Sequence, residues 1–436
     1  MKLKPYPKYK ESGVQWIGEI PERWDGTKIK YYVNFEIGGT PPTGRDDYFE
    51  GDNVWVTIGD MNNQEIITDS KQNISNEAIK ICNVKKVKRG SLLFSFKLSV
   101  GYTAFAGTDL YTNEAIASFP KNKKVDLKFL SYVFKDNFEQ NGFENIYGAK
   151  LFNTDLLKAA KFVLPTDYKE QQKIASYLDS KTSQLSKTIE ADKRLIELLK
   201  EKRTALINHV VTKGLNPKAK MKDSGIEWIG EVPEGWEVWK LSHLAKIYSG
   251  GTPDRTKEYY WETGEIPWIS SGEVNQEDII KPTTYITKEA FYNSSAKWIP
   301  ENSLILALAG QGKTKGTVAY LRIKTTGNQS LAAIVPNKIN SRYLYYWLKR
   351  NYYNIRGLAG EGIRDGLNLD MIKQIKSPLP PKSEQLQISQ YLNKATSKID
   401  QTIKKIEEKI ELLEEFKKSL IHHVVTGKVD VREAIA

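Results

Sequence analysis

The chain is written twice. Residues 10–41 (KESGVQWIGEIPERWDGTKIKYYVNFEIGGTP) align without a gap on residues 222–253 (KDSGIEWIGEVPEGWEVWKLSHLAKIYSGGTP), at an offset of 212 and with 15 identities in 32 positions. Trp16, Trp24, Gly39 and Pro41 meet Trp228, Trp236, Gly251 and Pro253. Further on, WVTIGD from Trp55 matches WISSGE from Trp268, and SLLFSF from Ser91 matches SLILAL from Ser303. NTDLLK from Asn153 matches NLDMIK from Asn368, and LINHVVT from Leu206 matches LIHHVVT from Leu420. Small insertions move the offset to 215 and then 214. Self-similarity on this scale confines the 436 residues to two copies of one plan, each long enough for its own core.

Both copies have the same internal order. About 155 residues rich in Trp, Tyr, Gly and Pro come first, with short β-branched and aromatic runs between turn signals. TIGDM (57–61), SLLFSF (91–96), AIASFP (115–120) and their partners read as strands of an α/β (α+β) globular domain. After Leu164-Pro165 and Leu379-Pro380-Pro381, Gly and Pro vanish for over 40 residues, as a long helix requires. An apolar stripe runs through Ile174, Leu178, Leu185, Ile189, Ile196, Leu199, Leu206 and Val210. A second runs through Ile388, Leu392, Ala395, Ile399, Ile403, Ile406, Ile410, Leu413, Leu420 and Val424. Such seams ask for partner helices, either each other or those of another subunit; an antiparallel coiled coil between the two is expected, because it gives a closed, pseudo-twofold chain. The expected organisation is a first globular domain at 1–165, a central helix at 166–213, a second globular domain at 214–380, a C-terminal helix at 381–426 and a tail at 427–436.

The net charge of +12 is distributed unevenly. Residues 166–214 carry 10 basic and 7 acidic side chains, and residues 382–428 carry 9 and 7. The helices thus hold +5, with mixed signs typical of a solvated coiled-coil face, and +7 lies elsewhere. That surplus suits a polyanionic partner. One cysteine, Cys82, leaves no disulfide framework or Cys-rich zinc site and fits a reducing, cytoplasmic setting. No run approaches ~18 apolar residues, so no membrane span is expected. MKLKPYPKYKESG lacks the apolar core of a signal peptide.

The motifs that would carry catalysis are missing. AGQGKTKG (309–316) resembles a phosphate loop, but Ala307 stands where its first glycine belongs and the first copy has KLSVGYTAFA there. It reads better as a basic glycine-rich loop in which Gln311, Lys313 and Lys315 meet nucleic-acid phosphate, with Lys97 and Tyr102 as first-copy counterparts. The four histidines show no metal-ligand spacing, and no nucleophile elbow or defended carboxylate pair occurs. No catalytic or metal-binding residue is therefore assigned. In the loop 356–366, Arg356 and Arg364 have the fork geometry that reads a guanine edge or a phosphate. Its first-copy counterpart, 141–150, carries Tyr147 and Lys150 instead. Retained flanks with changed loops are what two readers of different sequences need. The WIGExPExW segments read as packed straps.

WIGEIPERW/WIGEVPEGW, the GGTP turns, LP…EQ…IA/IS…YL and the helix ends LINHVVT/LIHHVVT, each in order and twice, resemble the specificity (S) subunit of type I restriction–modification systems over nearly the whole chain. The resemblance implies two target-recognition domains, each reading half of a split site in double-stranded DNA. The helices would then set half-site spacing and dock two methyltransferase (M) subunits, with Leu178, Leu185, Ile189, Ile196, Leu199, Leu392, Ile399, Ile403, Ile406, Ile410 and Leu413 serving helix pairing and partner docking. It also implies that S-adenosylmethionine, ATP and magnesium are used by M and restriction (R) subunits and that this chain binds no cofactor. The absence of the N/D-P-P-Y/F tetrapeptide of adenine methyltransferases agrees with that. The alternative is a single-chain DNA nuclease with duplicated recognition domains.

Overall fold

The computed structural model describes residues 4–62, 64–97, 99–136, 138–144, 150–310, 312–359 and 366–434. The chain forms two compact units that do not follow chain order: Met1–Lys193 with Glu407–Ala436, and Arg194–Ile406. Each unit is one globular domain plus about half of each long helix.

The central helix spans Tyr168–Lys213 and the C-terminal helix Lys382–Val425. Both stop for the same reason. Gly214 and Gly427 take φ of +72° and +71°, the left-handed conformation that closes a helix and that a side chain disfavours. In the first unit Asp192 pairs with Lys409 at 2.8 Å, and Lys417 Nζ donates to Ser186 Oγ at 2.7 Å. In the second, Arg203 pairs with Asp400 at 2.9 Å, and Gly214 at the end of the central helix lies beside Glu384 in the first turn of the other. Partners rise along one helix as they fall along the other, so the helices are antiparallel in both units.

The seam follows the apolar stripes, with polar insertions. Leu178, Ile189, Ile196, Leu392, Ile403 and Ile410 are buried, whereas Leu185, Leu199, Ile399, Ile406 and Leu413 are half-buried. Ile207 is buried more deeply than Leu206. Seven-residue gaps in the central stripe are filled by Thr182, Asp192 and Arg203, which keep the three-four spacing without an apolar side chain.

In the first unit a five-stranded sheet runs in the order Glu36–Ile37, Ile116–Phe119, Leu92–Ser95, Thr103–Ala106, Ile66–Ile67. Only the last pairing is parallel. Its inner face packs on the helix Leu127–Lys135, where Phe94 stacks on Phe134 at 4.3 Å. A smaller sheet joins Asn73–Ile74, Asn53–Val56, Leu110–Thr112 and Lys86–Val87. The second unit repeats the larger sheet with Ala245–Ser249, Leu331–Pro336, Leu304–Ala307, Val318–Leu321 and Asp278–Ile279. Here Ser341–Arg350 is the packed helix, with Tyr343, Trp347 and Leu348 buried.

One strand expectation is corrected. TIGDM is not a strand: the strand is Asn53–Val56, and Ile58–Met61 is a helical turn. Thr57 and Asp60 form a reciprocal cap that satisfies the free backbone donors of that turn. Its counterpart, Ser271–Asn275, is a 3-10 turn capped in the same way by Ser270 and Glu273.

Candidate nucleic-acid interface

The repeated motifs are joints. Trp24 and Trp236 are fully buried, and their indole N–H groups donate to Glu170 Oε1 at 3.0 Å and Glu384 Oε2 at 2.9 Å in the first turn of each long helix. The following glutamines bridge helix and domain. Gln171 accepts from the Asp126 backbone N–H and donates to the Pro165 carbonyl, while Gln385 accepts from Asn340 and donates to Pro380. Asp126 and Asn340 cap the helices packed under the large sheets. The GGTP turns are needed for close approach: a Cβ at Gly38 would overlap the Thr112 carbonyl, and one at Gly250 the Gly327 carbonyl. The strap expectation holds for Trp24 and Trp236, and Trp228 tilts against Trp347 at 5.7 Å. Trp16, however, is 38% exposed.

On these rigid joints sit hairpins whose tips differ. In the first unit Leu92–Ser95 turns into Thr103–Ala106. Ser95 Oγ fixes the tip by donating to the Ser99 carbonyl at 2.6 Å and accepting from the Tyr102 N–H at 3.0 Å. Tyr102 is exposed, and Lys97 lies over the buried Phe96 ring at 5.6 Å. Lys150, on the short hairpin of Phe143–Glu144 with Lys150–Leu151, pairs with Glu144 at 2.8 Å. Tyr147 lies outside the described residues.

In the second unit the corresponding tip is longer, connecting Leu304–Ala307 to Val318–Leu321. It leads into a strand and not a helix, so its amides cannot form a phosphate loop. Lys313 is exposed and Lys315 is buried. Tyr352 O–H donates to the Lys313 carbonyl at 3.1 Å, and Arg356 Nη1 reaches the Lys315 carbonyl at 3.2 Å and Tyr352 Oη at 3.1 Å. Arg356 therefore braces the tip, a positioning role that its sequence context did not reveal. Gln311 and Arg364 lie outside the described residues. The structure thus gathers Lys313, Lys315 and Arg356, and places Lys97 and Tyr102 together on the other hairpin.

Sequence reasoning missed two features. One is Arg255, whose guanidinium lies 5.6 Å from the Trp261 ring centre and 5.9 Å from that of Trp268, beside a cleft of about 410 Å³. The other is an ion network in the second unit. Arg203 Nη2 donates to Glu277 Oε2 at 2.9 Å and to Asp400 Oδ2 at 3.2 Å, and Lys349 also binds Glu277. Burial would raise the Glu277 carboxyl pKa, but Lys349 and Arg203 outweigh it and hold the group ionised. Its residues lie up to some 200 positions apart in sequence, so no local pattern announces it.

Residues 21–200 and 233–412 each match the type I restriction modification DNA specificity domain. The MjaIX type I restriction enzyme specificity subunit of Methanocaldococcus jannaschii is 26% identical over 428 residues, 96% of each chain. The EcoR124I/EcoR124II specificity subunit of Escherichia coli is 27% identical over 320 residues, 68% of this chain and 78% of that one. The fold resembles a chain from a structure addressing assembly and conformational transition of the type I R-M system, with TM-score 0.73 and 13% identity over 94% of this chain and 99% of that one. It also resembles the HsdS subunit from Thermoanaerobacter tengcongensis, with TM-score 0.61 and 15% identity over 96% and 100%. With two copies of the domain covering most of its length, the chain belongs to the type I restriction–modification DNA specificity family.

Proposed function

We propose that the chain is the DNA-reading subunit of a type I restriction–modification complex, each recognition domain reading one half of a bipartite, asymmetric site. One observation carries this reading. The joints are the same in both copies, whereas the hairpin tips they support differ in length and chemistry: Lys97 and Tyr102 against Lys313 and Lys315, the latter tip braced by Arg356. Phosphate contacts from lysine and arginine supply affinity, and a few tip side chains supply choice of sequence. The paired helices fix the half-site spacing and dock two M subunits, and R subunits join the full complex. Methyl transfer with S-adenosylmethionine, and cleavage with ATP and magnesium, belong to those partners, so this chain is non-catalytic and works in the cytoplasm. The matched family lends no support to the single-chain nuclease alternative.

Mapping methylated adenines in a host that expresses this chain with its M partner tests the proposal. A single bipartite motif is expected. Magnesium-dependent cleavage by the isolated chain would overturn it.

A further inference from the structure

The ion network of the second unit has an open counterpart in the first. The repeat register places Glu65, Lys135, Ser186 and Lys417 where the second copy has Glu277, Lys349, Asp400 and Arg203. In the second unit the Glu277 carboxylate is held by both Arg203 and Lys349. The first unit differs at two of these places. Ser186 supplies a hydroxyl instead of a carboxylate, and Lys417 donates to it at 2.7 Å. Glu65 is exposed and, among the described residues, forms no ion pair with either lysine. The first unit thus lacks, beside Lys417, the carboxylate that Asp400 supplies beside Arg203 in the second.

Lys135 and Lys417 border a groove of about 740 Å³ between the recognition domain and the helix pair, with Glu65, Tyr102 and Tyr132 also in its wall. Lys128, in the same wall, is neutralised by Asp179 at 2.6 Å. Desolvation by the surrounding protein lowers the Lys135 ammonium pKa; Glu65 and Asp179 oppose this, and Lys417 adds to it through like-charge repulsion. An oxyanion between them relieves that repulsion. Glu277 shows that this fold accommodates one there.

We propose that the groove of the first unit binds a phosphate group between Lys135 and Lys417, in the place the Glu277 carboxylate takes in the second. The groove has room for more than a single phosphate. Two sources share the chemistry: the backbone of a bound duplex, since Tyr102 of the recognition hairpin lines the same wall, or a free phosphorylated molecule. Only the first source rests on the DNA-reading assignment.

The test uses the full chain and inorganic phosphate, titrated against chloride at constant ionic strength, with calorimetry and thermal unfolding as readouts. Phosphate should bind and raise Tm. Lys417→Met should weaken that binding roughly tenfold, the loss expected for one charge-assisted hydrogen bond. Ser186→Asp, which supplies the carboxylate that Asp400 provides in the other copy, should abolish the phosphate response and raise Tm without phosphate. Glu65→Gln should tighten binding. No phosphate response in the unaltered chain, or an undiminished response in Ser186→Asp, overturns the proposal even if Lys417→Met fails to fold. The salt dependence of binding to a duplex separates the sources. A slope reduced by about one phosphate contact in Lys417→Met supports the DNA backbone. An unchanged slope with the phosphate response lost supports a free ligand and leaves the DNA-reading assignment standing.

Discussion

Glu170 and Glu384 show how much a single repeated side chain can carry. Glu170 Oε1 accepts from the Trp24 indole at 3.0 Å and from the Tyr6 hydroxyl at 2.9 Å, and both donors are buried. Glu384 accepts from Trp236 at 2.9 Å. Hydrogen bonds to a charged acceptor contribute about 1.5–3 kcal/mol, and a buried donor left unpaired adds a desolvation cost. Glu170→Ala is therefore expected to destabilise the first unit by about 3 kcal/mol, and Glu384→Ala to destabilise the second by less. Urea unfolding of the two variants checks the order; equal losses would mean that the Tyr6 bond contributes nothing. These residues were legible as a repeated motif, but not as a joint. The tryptophan and its glutamate are 146 positions apart, and no periodicity links them. Arg356 shows the same limit in reverse. The sequence pointed to contact with a guanine edge or a phosphate, and its guanidinium Nη1 also meets the Lys315 carbonyl and Tyr352, contacts made only once the chain has folded.

The helical elements were the most legible part, because the absence of Gly and Pro and the three-four spacing are local signals. What periodicity could not assign was the polar residues within the seam. Asp192 is buried and pairs with Lys409, whose side chain is half exposed. Replacing a buried ion pair with apolar side chains is often neutral or stabilising. Asp192→Leu combined with Lys409→Leu should leave Tm unchanged or higher. Arg203→Leu should lower it, because Glu277 and Asp400 each lose a partner. Thermal unfolding of both variants decides whether the seam needs these charges for stability. The C-terminal helix also holds the first domain through His422 Nδ1, 2.9 Å from Asp136 Oδ2. The hydrogen bond to Asp136 is the largest influence and, with that residue's charge, raises the histidine pKa above its usual value against the opposing effects of burial and Lys428. A raised folded-state pKa means that the protonated pair stabilises fully below about pH 6.5, the unfolded value, and that this is lost as pH rises through the folded value. Stability measured from pH 6 to 9 should fall in the unaltered chain relative to His422→Asn, the residue that Asn208 supplies at the matching position of the other helix. Parallel pH profiles would show that the pair is silent.

At the scale of the molecule, two copies of one plan allow the halves to change independently. Each recognition domain has its own large sheet, its own capped turn and its own tryptophan–glutamate joint, so its tips can vary without disturbing the other copy. Exchanging residues 222–378 for those of a relative should change one half of the methylated site and leave the other intact; unchanged half-sites would refute modular reading. In the proposed function the helices constrain the remaining variable, the distance between half-sites. A helix rises ~1.5 Å and turns ~100° per residue, so deleting four residues within 185–199 shortens it by about 6 Å and rotates its C-terminal part by about 40°. At ~3.4 Å per base pair, the shortening corresponds to no more than about two steps of the duplex. The rotation moves the rest of the stripe off its antiparallel partner, where Ile196 and Ile403 are buried and Leu199 and Ile399 are half-buried. The complex then either re-forms the seam and methylates sites with a shorter spacer, or fails to assemble. Normal assembly with unchanged spacing would show that the helices do not measure the site.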